Sequence, residues 1–255
     1  MEKRELSPQM QTSLLLLLIF AGLYLVANIL ISLALTLIVS PAELETFELS
    51  NPKIGITIFV CSQLGMFLMA FVVYLKIVNV KFKDALDYQK FSFKYLLYII
   101  LGFVPMVFIV NGLTMFNHWI IQQFPASGLI ERQVEREELY SGLFNGANSS
   151  LFPIFLLASS ILPALVEELV FRGLLFKKLA IVSNGKIHFA IWTSATIFAA
   201  LHTQPWNLIP MIAMGGLFGY IYHHTKDIRY SIILHALFNA ATLTVMVFFP
   251  ETSIS

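Results

Sequence analysis

Cysteine is nearly absent. The single one, Cys61, lies inside an apolar run, so the chain can form neither an intramolecular disulfide nor a thiolate metal cluster, and Cys61 reads as a small buried hydrophobe. Charge is scarce as well: Asp, Glu, Lys and Arg make up 12% of the 255 residues, against about 25% in a soluble domain. The net charge is only +1, which leaves no basic patch of the kind a nucleic-acid partner requires. No internal repeat, low-complexity linker or shift in composition divides the sequence, so residues 1–255 read as one integral membrane domain.

What the chain has in quantity is apolar sequence, 58% of it, with a mean hydropathy of +0.79. Residues 13–39 carry no charge over 27 positions and residues 54–75 repeat the pattern; each exceeds the roughly 20 residues that cross hydrocarbon as a helix. The first run is too long for a secretory signal and is read as a retained span. Seven apolar segments can be marked, about 13–39, 54–76, 95–121, 151–176, 187–203, 206–223 and 230–249. Ser40-Pro41, Asn51-Pro52, Asn184-Gly185 and Gln204-Pro205 punctuate them. The expectation is an all-α polytopic bundle of about seven spans, with room for an eighth short or re-entrant piece.

Charge asymmetry orients this bundle. With the N-terminus in the cytoplasm, thirteen of the sixteen Lys and Arg fall on the inside, and only Lys53, Arg132 and Arg136 fall outside. The expected arrangement is a multi-pass protein with its N-terminus cytoplasmic and its C-terminus outside, and small size and short loops point to a bacterial plasma membrane. The longest polar stretch, residues 122–150, reads as a solvated connector, with a substrate-facing lid as the alternative.

An ionisable group inside a span costs about 2.5 to 3.5 kcal/mol and therefore faces a cavity or another polar group. Such groups concentrate in the last hundred residues: Glu167, Glu168 and Arg172 in EELVFR, His202 in FAALH, and His235 with Asn239 in HALFN. Glu168 and Arg172 are four apart and can pair along one helix face. Glu167 lies about 100° round and is free to point elsewhere. Phe198 with His202, and His235 with Asn239, share the same four-residue spacing. One carboxylate, two imidazoles and a carboxamide converging from three helices form a hydrolytic set. The carboxylate can take a proton from water, one histidine can orient that water, and a His with an Asn can donate to an oxyanion. No serine or cysteine nucleophile is needed. His188 and the His223-His224 pair fall at segment ends and read as interfacial; Asn111 and His118 read as interhelical contacts; Gly215, Gly216 and Gly219 read as positions of close helix approach.

These three motifs resemble the EExxxR, FxxxH and HxxxN motifs of the CPBP intramembrane proteases, also called the Abi or type II CAAX prenyl endopeptidase-like family, over about residues 150–245. The resemblance implies an endopeptidase in the membrane that cleaves a peptide or a membrane-anchored protein. Glu167 would be its general base and His202 would help activate the water. His235 and Asn239 would stabilise the oxyanion, Glu168 and Arg172 would support the site as a pair, and Phe198 would pack beside it. The family has been described both as metal-dependent and as metal-free. Zinc on Glu167, His202 and His235 is one alternative, but HExxH is absent and no acceptors for the outer nitrogens of the histidines can be named from sequence, so a metal-free, glutamate-activated water is favoured. Two other functions fit the same residues: a non-catalytic bacteriocin-immunity or scaffold membrane protein, and an ion-coupled transporter, against which stands the lack of an inverted repeat. One difficulty is geometric. Counted from the nearest loop charges, Arg229 and Lys186, His235 lies about 9 Å into its span and His202 over about 20 Å into its own, at different depths.

Overall fold

Where the structure describes them, the apolar segments of the sequence fall on helices, and the chain is an all-α helical membrane bundle. The computed structural model describes residues 7–38, 60, 64–82, 86–123, 128, 130–134 and 152–249, and among these all regular structure is helical. Helix α1 is Pro8–Ile38; a π-helical turn, Leu64–Met69, leads into α2, Ala70–Ile77; α3 is Phe93–Gln122. The continuous helix Phe152–Val182 is α4, followed by α5, Ile187–His202, α6, Leu208–Thr225, and α7, Ile228–Phe248. Four of these, α1, α3, α4 and α7, are long and apolar enough to cross a membrane, whereas α5 has only 16 residues. The breaks at Ser40-Pro41 and Asn51-Pro52, and most of the polar stretch 122–150, lie outside the described residues.

Burial decides which helix is central. Of the apolar window of α4, 61% is buried, against 11%, 17% and 22% for α1, α3 and α7. The outer helices present Leu18, Phe93 and Phe108 to the surroundings, as lipid-facing surfaces must. Phe67 and Phe71 before and within α2, Val170 and Phe171 of α4, Ile191 and Phe198 of α5 and Tyr222 of α6 form one apolar core around α4. α5 and α6 approach closely because α6 is stripped of side chains where they meet. A Cβ on Gly216 would come within 2.6 Å of the Trp192 ring, one on Gly219 within 2.9 Å of Ile191, and one on Gly215 within 3.0 Å of Ala195.

Two features settle the depth difficulty. First, α4 does not stop at Lys177 and Lys178 but runs on to Val182, and the turn to α5 reverses through Asn184 at φ +56° and Gly185 at φ +77°. Glu167 thus lies fifteen residues before the end of α4 and His202 fifteen residues after the start of α5, at matching heights of about 22 Å. Second, α7 starts part-way up the bundle. Ile228 packs at Gly173 and its N–H donates to the Asp87 carbonyl at 3.3 Å, so His235, seven residues on, reaches the level of Glu167, six residues back from Gly173. The end of the bundle is stepped, and Arg229 and Lys186 do not mark one plane. Arg172, counted from sequence among the loop charges, is fully inside α4.

The segment around residues 86–92 holds the low step. Lys177 reaches Asp87 at 3.0 Å, the Tyr222 hydroxyl donates to the same carboxylate at 2.6 Å, and the Gln89 N–H donates to Asp227. Asp227 caps α7 by accepting from the Arg229 N–H at 3.0 Å and also pairs with the Arg229 guanidinium.

Candidate active site

The two glutamates lie in a nine-residue α-helical piece of α4, Leu162–Val170, flanked by π-helical turns at Leu157–Ile161 and Phe171–Phe176. Such turns shift the register of a helix and recur at functional sites. The second turn carries Arg172, and its Phe171 carbonyl accepts from the buried Ser194 hydroxyl of α5 at 3.3 Å.

Glu168 is the fixed member of the pair. It is 0% exposed, and its Oε1 accepts from Arg172 Nη1 at 2.6 Å and from His235 Nδ1 at 3.0 Å. Arg172 donates its other terminal nitrogen to the Gly215 carbonyl at 2.8 Å, and its guanidinium lies between the Phe198 and Phe218 rings, 5.5 and 5.3 Å from their centroids. These bonds offset part of the desolvation of the buried pair, while Glu168 Oε2 is buried with no hydrogen bond among the described residues.

Glu167 points the other way, as its offset around the helix predicted. Its Oε2 is faced by two imidazole nitrogens, His202 Nε2 and His235 Nε2, each at 3.7 Å. The outer nitrogens fix both rings. His202 Nδ1 lies 2.7 Å from the Phe198 carbonyl, which can only accept, so Nδ1 carries the proton and Nε2 is an acceptor when the ring is neutral. His235 Nδ1 donates to Glu168. Phe198 touches both rings, at 4.5 Å from His202 and 5.9 Å from His235, and Phe218 stacks on His235 at 4.9 Å. Buried Glu167 and His235 meet a half-buried His202, so the set is open on the His202 side.

Five of the residues marked from the motifs, Glu167, Glu168, Arg172, His202 and His235, form one contiguous polar cluster with Phe198 packed against it. Asn239 does not join it directly: it sits one turn beyond His235, half-buried, with no hydrogen bond among the described residues. The acceptors for Nδ1 of the histidines, which could not be named from sequence, are the Phe198 carbonyl and Glu168. Among the described residues no group of three or more His, Cys, Asp or Glu side chains is arranged to hold a metal ion.

Sequence reasoning missed the clamp on the chain that follows His202. Buried Asn117 of α3 donates to the carbonyls of Pro205 and Trp206 at 2.8 and 2.7 Å and accepts from the Ile209 N–H at 3.2 Å. Gln133, buried despite its place in the polar connector, accepts from the Trp206 N–H at 3.0 Å. Asn111, marked instead, is exposed, while His118 packs its ring on Trp206 at 5.4 Å. Phe218 was also missed, hidden in a stretch whose glycines carried the signal.

Residues 149–241 match the family model described as type II CAAX prenyl endopeptidase Rce1-like. Over those residues the chain is similar to the CAAX proteases. The match spans all three motifs and agrees with the resemblance drawn from them. Among curated proteins, the membrane-embedded CAAX protease MroQ of Staphylococcus aureus is 38% identical over 104 residues, 39% of this chain and 42% of that one. The UPF0177 protein YaiF of Lactococcus lactis is 26% identical over 159 residues, 62% of this chain and 65% of its own. The chain thus spans less than two thirds of the length of each of these relatives. No solved structure matches it significantly.

Proposed function

We propose that this CAAX-protease-like chain is an intramembrane endopeptidase that hydrolyses a peptide bond in a membrane-associated peptide or protein, using a water activated by Glu167. The observation that carries the reading is the convergence of two ring-fixed histidines from different helices on one oxygen of a buried carboxylate, 3.7 Å from each. At that separation no direct hydrogen bond forms, and a single water within reach of all three atoms bridges them. Glu167 takes a proton from this water while His202 Nε2, an acceptor, orients it. The oxygen adds to the substrate carbonyl carbon. His235 and the Asn239 amide donate to the oxyanion that results. Glu167 then returns the proton to the amide nitrogen as the carbon–nitrogen bond breaks, leaving a carboxylic acid, which keeps the second proton of the water, and an amine. Glu168 and Arg172 take no part in bond making; they hold His235 in place.

The proposed enzyme needs no metal. Activity retained by purified, metal-stripped protein is the expected result, and complete loss restored by zinc would reverse this part of the reading. The substrate class is tested by comparing peptides from membranes carrying wild type with those carrying Glu167→Ala. New termini that appear only with wild type are expected; identical profiles from equally inserted proteins would reject the function.

A further inference from the structure

A cavity of about 500 Å³ opens where α5 begins and α6 ends, at the opposite end of α5 from His202. Its walls carry Lys186, His188, Tyr220, His223 and His224, and no Asp or Glu among the described residues. These groups are tied to one another instead of to acids. His188 Nδ1 lies 2.6 Å from the Tyr220 hydroxyl, Lys226 Nζ lies 3.1 Å from His223 Nδ1, and the His224 ring stacks on Tyr220. The Lys186 ammonium has no partner among the described residues. The nearby carboxylates are engaged elsewhere, Asp87 by Lys177 and Tyr222, Asp227 by Arg229. A second cavity of about 290 Å³ adjoins through Ile187 and His223 and brings Lys226 to the shared rim; its far wall carries Asp87, paired with Lys177.

We propose that this cavity is a binding site for an anionic phosphate group, carried by a lipid headgroup or present as free phosphate. Ammonium, imidazole N–H and phenol O–H groups converge there as donors, and phosphate oxygens are acceptors of matching number. Basic groups gathered without a carboxylate repel one another, and an anion relieves that repulsion. The start of α5 adds backbone N–H groups that the helix itself leaves unpaired, on the same side of the cavity. The site also lies at the turn between α4 and α5, close in sequence to Lys177, Lys178 and Lys186, and basic clusters of this kind favour anionic headgroups. It is independent of the proteolytic reading and of any metal.

The test uses the full chain in detergent, with native mass spectrometry counting retained phosphatidylglycerol and phosphatidylcholine. Phosphatidylglycerol affinity is expected to fall about tenfold or more in Lys186→Gln/His223→Gln/His224→Gln. It should stay within about twofold of wild type in Lys81→Gln/Lys90→Gln/Lys94→Gln, which removes more charge from exposed lysines elsewhere. Equal losses in both variants, or no loss in the first, would overturn the proposal. A second arm adds inorganic phosphate: competition with phosphatidylglycerol assigns the site to free phosphate as well as to lipid, and its absence assigns it to the headgroup. Should the first variant unfold, Lys186→Gln alone decides in its place: it should weaken phosphatidylglycerol binding where Lys186→Arg restores it, and equal binding by both would count against the site.

Discussion

Glu167 and Glu168 are neighbours in sequence with opposite physical roles, and substitutions should separate them. Glu168 Oε1 anchors both Arg172 and His235, so Arg172→Met leaves a buried carboxylate short of its main partner. A loss of about 3–5 kcal/mol is expected, read by denaturant unfolding in detergent. Among the described residues Glu167 has no ionisable partner nearer than 3.7 Å, and Glu167→Gln keeps its shape, so stability should move by less than about 1 kcal/mol while turnover falls about 10²- to 10⁴-fold. Asn239 makes no hydrogen bond within the described residues. Asn239→Ala should therefore leave the unfolding midpoint in place and lower kcat about 10²-fold if the amide meets an oxyanion. The spacing of EELVFR was enough to read the Glu168–Arg172 contact, because four residues on a helix bring side chains together. It did not reveal the sandwich of Arg172 between Phe198 and Phe218, since a contact between helices leaves no local period in the sequence.

At the scale of elements, the α5–α6 pair is the tightest joint next to the site. Gly219→Leu would drive a side chain into Ile191, with an expected cost of about 1–3 kcal/mol and a matching drop in activity as His202 shifts. Gly112→Leu on α3, where a Cβ meets nothing within 4 Å, is the control and should be nearly neutral, both read by denaturant unfolding in detergent. Helix existence was legible from hydropathy; helix depth was not. The lysines at 177 and 178 look like a membrane boundary, yet α4 continues for another turn because Lys177 finds Asp87 across the step. Nor could a low start for α7 be read locally, since it depends on Ile228 meeting Gly173 and on the Asp87 segment that it docks against.

Across the whole molecule, the site depends on contacts far apart in the chain: α3 and Gln133 hold the loop after His202, and residues 86–92 hold the start of the His235 helix. Asp227 is the electrostatic centre of the second set. Burial opposes its charge, but hydrogen bonds from the Arg229 side chain and backbone and from the Gln89 N–H outweigh it and hold the carboxyl below the usual range. A depressed carboxyl stabilises the fold above its unfolded value of about 3.9 and loses that contribution as pH falls through the folded value. Stability should thus be level from neutral pH to about 5 and fall below about 4. Asp227→Asn should cost about 1–3 kcal/mol at neutral pH and flatten the acid limb. The central claim, that a glutamate-activated water performs the cleavage, is tested most directly by the rate at which purified, metal-stripped wild type and Glu167→Gln cut one substrate identified from the membrane profiles. The account predicts full wild-type activity and a loss of at least about 100-fold in the correctly folded variant. Turnover by Glu167→Gln within about tenfold of wild type would contradict it.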